Sequence, residues 1–551
     1  MVSDAVVPHS TQEEVTAKSS SFNLITERRL FWGLTALIAF APLPLGSNRP
    51  IWWSILAIWA GALFVAYGVL TWRAPSPDHI PARKVLAIVV PFFLAILWGL
   101  VQVFPWMPES IAHPLWKETQ AFIGGTVSST VSLNPYESVT GVMRLLTYAA
   151  IFWLALQLGR DGSLAHRGLK AIAVISLAYG AYGLIVHLAG WERILWLHKW
   201  AYEGYLASTF VNRNSYATYA GVGLVCVLGL LMHDLGNILK LGASARTKIE
   251  LSLEVLAGKS AYLVVAALVL STAILMSGSR AGAMSTLVGI IVLIVCCGYA
   301  RVIPRQQTLI FLGIAVFSAV LFLAVSGGAV VERLGSLEET HGGRSEIYTL
   351  TWEAIGAAPV TGSGLGTFSD TYPIFRDERL PAGPPWQDAH NTYLENALEL
   401  GVPAAALLFV AVASMGELCF FGLLRRRRSK IYAAIGLAVL TLVGVHALVD
   451  FSLEIPAVTA TFAFIMGLSC AQSFSSRTKH KRAHARGAKS KRSSRRRRSS
   501  NAAVATPGLT VEVEVPPKPK PEAPLPEETP GSIEDPEKGF DKPDTKEPKA
   551  R

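Results

Sequence analysis

Short polar clusters that interrupt long apolar stretches hold the residues of this chain that can do chemistry. One of them, Phe210-Val211-Asn212-Arg213-Asn214, places an arginine between two asparagines. A guanidinium with two flanking amides can donate several hydrogen bonds to a phosphate-like anion. An arginine that reaches from the end of a membrane helix to interfacial water has the same sequence signature. The cluster predicts either an anion site at Arg213, supported by Asn212 and Asn214, or an interfacial side chain.

A second arginine, Arg280, lies in the tight turn Ser277-Gly278-Ser279-Arg280-Ala281-Gly282 between two apolar stretches. A charged side chain at the centre of a membrane helix costs about 2.5 to 3.5 kcal/mol on insertion scales. Membrane topology gives no reason for an arginine on the side where this turn is expected, because that side carries few basic residues. Small neighbours let backbone amides approach the same ligand. The turn therefore predicts a bound anion.

Two glycine clusters in a long polar segment contribute a third arginine. They are Gly342-Gly343-Arg344 and Thr361-Gly362-Ser363-Gly364-Leu365-Gly366. Their spacing differs from that of a dinucleotide-binding fingerprint, and no predicted strand precedes them. We interpret both clusters as loop turns, with Arg344 as a further candidate ligand for an anion.

A histidine, His390, opens the transition from this polar segment to the next apolar stretch. A neutral imidazole at the membrane surface can accept a proton from a sugar hydroxyl, although a single interfacial histidine is more often structural. Asn391 follows directly, while Glu395 and Glu399 share one helix face and either orient partners or contact water. Three arginines and one histidine on the same side of a membrane can hold a diphosphate and deprotonate an acceptor.

Apolar helices must position these clusters. The chain has 551 residues, 51% hydrophobic and 16% charged, whereas soluble proteins are about a quarter charged. A helix needs roughly 20 apolar residues to cross a bilayer, and about twelve stretches approach that length. They are residues 30–45, 51–72, 85–104, 139–158, 169–188, 215–232, 261–277, 281–299, 308–325, 402–424, 431–449 and 456–472.

The distribution of lysine and arginine orients these stretches. Arg73, Arg160, Lys240, Arg301 and their basic neighbours fall in alternate short loops, which the positive-inside rule assigns to the cytoplasm. We therefore predict an all-α, polytopic transmembrane bundle of about 12 spans with both termini in the cytoplasm. Its domains are a cytoplasmic segment at 1–29, a transmembrane domain at 30–473 with a large periplasmic loop at 326–401 between spans 9 and 10, and a tail at 474–551.

The tail accounts for much of the formal net charge of +11. Residues 477–498 contain twelve lysines and arginines and no acid, and a basic run that follows a membrane span favours a lipid surface over a nucleic acid. We expect no nucleic-acid partner. The Pro/Glu/Lys-rich remainder predicts disorder. The tail is either a passive cytoplasmic extension or a segment that binds membrane lipid or polysaccharide-assembly proteins.

Taken together, the clusters resemble the O-antigen ligase and polysaccharide polymerase family of bacterial inner-membrane glycosyltransferases, over about residues 135–467. The residues that carry the resemblance are Leu133-Asn134-Pro135-Tyr136 with Arg144, Thr209 to Asn214, Ser279-Arg280, Gly343-Arg344, His390 to Glu395, and His446 to Pro456. The sequence departs from a common family form at Ser215-Tyr216, where His-Phe is frequent, so the resemblance supplies no second base there.

The resemblance implies transfer of a glycan from undecaprenyl diphosphate to a hydroxyl of a saccharide or of the lipid A core, at the periplasmic face of the inner membrane. It implies inversion, no cofactor and no obligatory metal. By position, Arg213 and Arg280 clamp the diphosphate, Arg344 assists, and His390 is the base, with Asn212, Asn214, Asn391 and Glu395 in support. A membrane transferase outside the cytoplasm needs such a pre-activated donor, since nucleotide sugars are absent there.

The sequence leaves two other classes of function open. One is a secondary transporter, although transporters of this span number usually carry substrate groups near the midplane of the bilayer. The other is a non-catalytic component of a polysaccharide export machine. Within the family, ligase and polymerase use the same residue types, so the sequence does not choose between them.

Overall fold

A computed structural model of the chain describes residues 9–73, 78–334, 342–378, 386–427 and 429–475. The first eight residues and all of the predicted tail beyond Ser475 lie outside these described residues, as does part of the predicted periplasmic loop. The predictions of disorder and of partner binding by the tail therefore stay predictions.

Seventeen α-helices make up most of the described residues. They are α1 (His9–Phe40), α2 (Pro50–Arg73), α3 (Leu86–Gln102), α4 (Pro114–Ile123), α5 (Pro135–Leu158), α6 (Gly162–Leu188), α7 (Arg213–Leu239), α8 (Ala245–Ala257), α9 (Ala261–Met276), α10 (Arg280–Tyr299), α11 (Arg305–Leu334), α12 (Gly342–Ala357), α13 (Phe368–Phe375), α14 (Thr392–Leu400), α15 (Val402–Arg425), α16 (Lys430–His446) and α17 (Pro456–Ser473). Short 3-10 helices occupy Leu45–Ser47, Ala82–Lys84 and Ser452–Glu454.

The apolar stretches predicted from the sequence all coincide with helices. Within the described residues, six helices are long and apolar enough to cross a membrane, namely α2, α5, α6, α7, α10 and α15. The pair α8 and α9, bent by 76°, makes a seventh if the two are counted as one span. The chain is thus a multi-helix protein of membrane-spanning type, while the number of about 12 spans and the orientation of the loops stay predictions.

One small β-hairpin departs from the predicted all-α fold. Strands β1 (Arg193–Ile194) and β2 (Leu197–His198) pair antiparallel, with Arg193 opposite His198. The hydroxyl of Tyr182 in α6 accepts a hydrogen bond from the Leu195 amide at the hairpin tip, at 2.7 Å. Strands this short are fixed by such contacts rather than by a residue pattern, which explains why the sequence did not predict them.

Side-chain caps set the start of several helices. Asn134, Asp161, Ser279 and Asn391 each accept a backbone hydrogen bond from the first turn of the helix that follows. Such caps satisfy amides that have no partner within the helix. In α5 the cap is followed by Pro135, a residue favoured at the first helical position because it lacks an amide hydrogen.

Helix α17 lies at the centre of the bundle. Nearly all of its residues are buried, and it packs on α5, α15 and α16. A helix that is apolar on every side is stable only when neighbours surround it. Around the bundle, large apolar side chains such as Ile58, Leu268 and Phe317 are exposed by 66 to 73%, an outer surface that suits lipid rather than water.

The segment that follows α11 forms a small second core. Ile347 and Leu350 of α12, Phe368 of α13 and Leu398 of α14 pack together with Ala389. The predicted long loop at 326–401 is therefore largely helical where it is described, and Gly342-Gly343-Arg344 begins a helix rather than a loop turn. This corrects the prediction for that cluster. His390 lies just before α14, directly after Ala389 of this second core.

Candidate functional site

His390 lies immediately before Asn391, the residue that caps α14. Its backbone is left-handed, with φ of 51°, and its carbonyl accepts a hydrogen bond from the Tyr348 hydroxyl of α12 at 2.9 Å. The imidazole lies between the rings of Trp386 and Phe451, with centroids 5.3 and 4.8 Å away. Unusual backbone conformations in non-glycine residues are enriched at functional sites, so the geometry supports a specific role for this side chain.

Asp450, which follows α16, is the carboxylate next to His390. Its Oδ1 lies 4.0 Å from Nδ1 of His390, and its side chain is 1% exposed. The Phe451 amide donates to Oδ1 at 2.8 Å, and the Thr392 hydroxyl donates to its main-chain oxygen at 3.2 Å. A buried carboxylate 4.0 Å from an imidazole favours the protonated form of the ring by its charge.

Asn214 joins this pair to α7. Its Nδ2 donates to Oδ2 of Asp450 at 2.6 Å, across a separation of 236 residues in the chain. The preceding asparagine, Asn212, caps α7 by accepting from the amides of Asn214 and Ser215 at 2.7 and 3.4 Å. The two asparagines therefore hydrogen-bond to protein groups on either side of Arg213. The predicted direct bonds from their side chains to an anion stay untested.

Arg213 is the first residue of α7, between these asparagines. Its guanidinium stacks on the ring of Tyr205, 3.8 Å from the centroid, and its Nη1 donates to the Ser277 carbonyl at 3.5 Å. Stacking occupies the face of the guanidinium and leaves most of its edge donors available for an anion. These contacts hold the guanidinium in one position, and the anion site and the interfacial side chain both stay predictions for this cluster.

Arg280 begins α10 after a three-residue turn. The turn contains Ser277, whose carbonyl binds Arg213, and Ser279, whose hydroxyl accepts from the Gly282 amide at 3.2 Å. The Arg280 side chain is exposed, and the positive end of a helix dipole lies at its position. The structure thus brings the turn of Arg280 to the tip of Arg213, as an anion site formed by both arginines requires.

Arg344 lies in the first turn of α12, four residues before Tyr348. Positions four apart share one face of a helix, and Tyr348 contacts His390. The Arg344 side chain lies outside the described part of the structure, so its assisting role stays a prediction.

Comparison with known families finds a similarity over part of the chain. An O-antigen ligase family model matches residues 265–409. This match confirms the resemblance to the O-antigen ligase and polymerase family. The matched segment contains Arg280, Arg344 and His390, whereas Arg213 and Asp450 lie outside it. No curated protein matches the chain. O-antigen ligase similarity, together with the apolar helices, supports a membrane protein that transfers glycans.

Within the segment that the O-antigen ligase family model matches, Glu395 and Glu399 are buried, with exposures of 4% and 5%. Glu395 Oε2 accepts from the Ala389 amide, one residue before His390, and Glu399 Oε1 accepts from the Phe368 amide, each at 3.0 Å. The alternative that these carboxylates contact water is therefore wrong. Glu395 supports the backbone that carries His390, and Glu399 fixes α13 to α14.

Three carboxyl groups near this segment hold their protons unusually strongly. Burial raises the pKa of Asp388 to about 7, with help from the negative charges of Glu454 and Asp450. Burial, followed by the charge of Asp388, raises the pKa of Glu395 well above its usual value. Burial and the charge of Glu454 raise the pKa of Glu399 to about 8. Desolvation favours the neutral form of each group.

These raised pKa values predict that the free energy of unfolding falls as the pH rises. An unfolded Glu399 loses its proton near pH 4.5, whereas the folded one keeps it to about pH 8, so the folded state binds more protons in that window. We expect the Tm of the detergent-solubilised protein to fall between about pH 4.5 and 8. Glu399→Gln removes one titrating group and should flatten the fall, whereas Glu250→Gln, at an exposed position of α8, should not. Equal slopes for all three proteins would contradict the buried-carboxyl account.

Asp450 and the aromatic support of Arg213 were not identified as functional from the sequence. Asp450 stands in the block of residues 446–456 that carries the resemblance, and an acid directly after an apolar span usually needs a partner. Another residue of interest, Arg144 of α5, donates to the main-chain oxygen of Glu454 and lies 3.4 Å from its carboxylate. That pair joins the end of the same block to α5.

Proposed function

We propose that this protein is a membrane glycosyltransferase that moves a glycan from undecaprenyl diphosphate to an acceptor hydroxyl at the periplasmic face of the bacterial inner membrane. The observation that carries the proposal is the connected set His390, Asp450, Asn214 and Arg213. It unites a base, its orienting carboxylate and an anion-binding arginine through distances of 4.0 and 2.6 Å and one peptide bond.

In the proposed reaction, the acceptor oxygen attacks the anomeric carbon of the sugar that is attached to the diphosphate. The acceptor proton moves to His390 as the new glycosidic bond forms. Asp450, on the Nδ1 side of the ring, stabilises the imidazolium that results. His390 Nε2 is therefore the atom that receives the proton. General-base assistance of this kind contributes about 10² to 10⁴ in rate.

The bond between the anomeric carbon and the diphosphate oxygen breaks in the same step. The electron pair leaves on undecaprenyl diphosphate, where Arg213 and Arg280 neutralise the growing negative charge. Attack from the side opposite the leaving group inverts the anomeric configuration. Two guanidinium groups can supply the charge that a metal ion supplies in other transferases, so we infer a reaction that requires neither a metal nor a cofactor.

The partners follow from this chemistry. The donor is a lipid-linked glycan, and the acceptor is a saccharide or the lipid A core. The orientation with both termini in the cytoplasm is supported by the basic residues of the alternate loops, and it assigns His390 and both arginines to the opposite, outer side. A periplasmic site also explains the need for a donor that is activated before it crosses the membrane.

Asp450→Asn is the substitution that tests the base and its carboxylate together. The amide keeps the size of the side chain, and its single oxygen can accept from either Asn214 or the Phe451 amide, but it no longer stabilises a protonated His390. We expect kcat to fall about 100-fold, within the range that general-base assistance contributes. The measurement is glycan transfer in membranes that contain an undecaprenyl-diphosphate-linked donor.

Asp370→Asn is the matched control for that substitution. Asp370 also accepts a hydrogen bond from an asparagine, Asn134, at 3.1 Å, but at an exposed position. Its replacement should leave transfer unchanged. A fully active Asp450→Asn protein would remove the carboxylate from the proposed mechanism.

A deletion strain distinguishes ligation from polymerisation. Gel analysis of its lipopolysaccharide and secreted polysaccharide reports which acceptor the enzyme serves. Complete chains that stay on the lipid carrier indicate a ligase, whereas products with a single repeat indicate a polymerase. Normal glycans of both kinds would count against the proposed function.

A further inference from the structure

The segment between α6 and α7 contains an ion pair with a buried lysine, and the proposed reaction does not use this pair. Lys199, next to strand β2, has a side chain that is only 4% exposed, and its Nζ lies 3.0 Å from Oε2 of Glu192. Lysine is rarely buried to this extent unless it is paired. The burial of the Lys199 ammonium indicates that the structure of the hairpin depends on its ion pair.

The ion pair fastens the hairpin to the residues that lead into α7. Besides Glu192, the Lys199 ammonium donates to the main-chain oxygen of Tyr205 at 2.8 Å. The other carboxylate oxygen of Glu192 accepts from the Gly204 amide at 3.0 Å. Two adjacent residues, Gly204 and Tyr205, are thus held by the two members of one ion pair.

Tyr205 is also the residue on which Arg213 stacks. Its ring lies 3.8 Å below the guanidinium, while the next amide, of Leu206, donates to Met276 at the end of α9 at 3.2 Å. Gly278, with φ of 62°, closes the slot: a Cβ at this position would lie 2.7 Å from the Tyr205 ring and 2.9 Å from Nη1 of Arg213. The arginine therefore occupies a slot formed by the hairpin segment and the turn between α9 and α10.

We propose that Glu192, Lys199 and Tyr205 are positioning residues that hold Arg213 ready to bind the donor diphosphate. This inference rests on the proposed function. A free arginine side chain loses conformational entropy when it binds a ligand, whereas a stacked one has already lost it. Stacking on an aromatic face fixes the guanidinium plane and leaves its edge for phosphate oxygens. Substitutions of these three residues should therefore change the affinity for the donor more than the rate of the chemical step.

Substitutions at Tyr205 separate the ring from the hydroxyl. Tyr205→Leu removes the stacking surface, and Tyr205→Phe keeps it. We expect Tyr205→Leu to raise KM for the lipid-linked donor about tenfold, the change that about 1.4 kcal/mol of lost binding produces, with kcat changed less than about twofold. Tyr205→Phe should retain the original KM. Binding of undecaprenyl diphosphate without a sugar should weaken in the leucine variant by a similar factor.

Lys199→Met tests the ion pair through the same measurements. It removes the bond to Tyr205 while Glu192, one-third exposed, can turn to water, so we expect the same rise in KM as for Tyr205→Leu. A thermal melt of each purified variant checks folding. If Lys199→Met does not fold, the hairpin requires the Lys199 charge. The two Tyr205 variants then decide whether the segment positions Arg213.

Unchanged donor KM and unchanged binding of undecaprenyl diphosphate in Tyr205→Leu would overturn this inference. Loss of kcat alone, without a change in KM, would overturn it as well. The proposed function is tested separately by Arg213→Gln: if that protein transfers glycan normally, the function fails, whereas an inactive Arg213→Gln beside a normal Tyr205→Leu removes only the positioning role.

Discussion

Replacing His390 with alanine is expected to abolish glycan transfer while leaving the protein folded in the membrane. The ring is only 14% exposed and lies beside the buried Asp450, so water that enters the space cannot reproduce a base held at one position. The loss should be about 10² to 10⁴ in kcat, the range for a positioned general base. Transfer from an undecaprenyl-diphosphate-linked donor in membranes is the measurement.

His390→Gln and His233→Ala are the controls for that experiment. Glutamine fills much of the space of the ring but accepts no proton near neutral pH, so it should be as inactive as alanine. His233 is an exposed residue of α7, and its loss should be silent. A protein with alanine at position 390 that is expressed normally and transfers at the original rate would exclude the proposed base.

Arg213→Gln should give the second large effect. Glutamine removes the positive charge that we propose stabilises the departing diphosphate, but it retains hydrogen-bond donors. Loss of one preorganised donor at a developing negative charge costs about 10² to 10³ in kcat in well-studied enzymes. We expect a loss of that size in transfer, together with weaker binding of the donor, because in the proposed mechanism the same charge contacts the diphosphate before and during the reaction.

The matched control is Arg246→Gln, on α8. Its guanidinium is 90% exposed and pairs with Glu250 in the next helical turn, an arrangement that contributes little. Normal transfer by this protein would show that loss of an arginine is not harmful in itself. If Arg213→Gln and Arg246→Gln were equally active, no diphosphate clamp would exist at Arg213.

Residue type alone selected three residues of the candidate site, because few side chains can bind a diphosphate or accept a proton. Arg213, Arg280 and His390 stand out as charged or titratable groups at the ends of apolar stretches. The structure brings two of them into one constellation and places the turn of the third against Arg213. Asp450 was not predicted as a site residue because its partners lie far away in the chain. No local sequence pattern indicates such a contact.

Helical periodicity has a similar limit for Glu395 and Glu399. Their spacing correctly places them on one face of α14, but it does not reveal what covers that face. At Glu399 the glycine-rich segment at 362–366 packs close, and its Gly364 donates its amide to the main-chain oxygen of Glu399 at 2.9 Å. At Glu395 the neighbour is Ala389, whose amide donates to the carboxylate. Left-handed glycines at 362, 364 and 366 confirm the interpretation of this cluster as a loop turn.

The helices were the easiest part of the fold to predict, since a long apolar run leaves few other structures in a membrane. The hairpin at 193–198 was the hardest. Its aromatic neighbours have the composition of an interfacial belt, and no pattern in the sequence connects Tyr205 with Arg213. The bond between Lys199 and Tyr205 becomes visible only in three dimensions.

Labelling of position 387 in intact cells tests the central claim, that the base faces the compartment of the lipid-borne glycan. Gln387 is exposed three residues before His390, and Thr247, exposed on α8, represents the predicted cytoplasmic side. After outer-membrane permeabilisation, a membrane-impermeant maleimide should label Gln387→Cys at once and Thr247→Cys only after lysis, each compared with the parent protein. Labelling of Gln387→Cys only after lysis would contradict the account, because base and donor would then lie on opposite sides of the membrane.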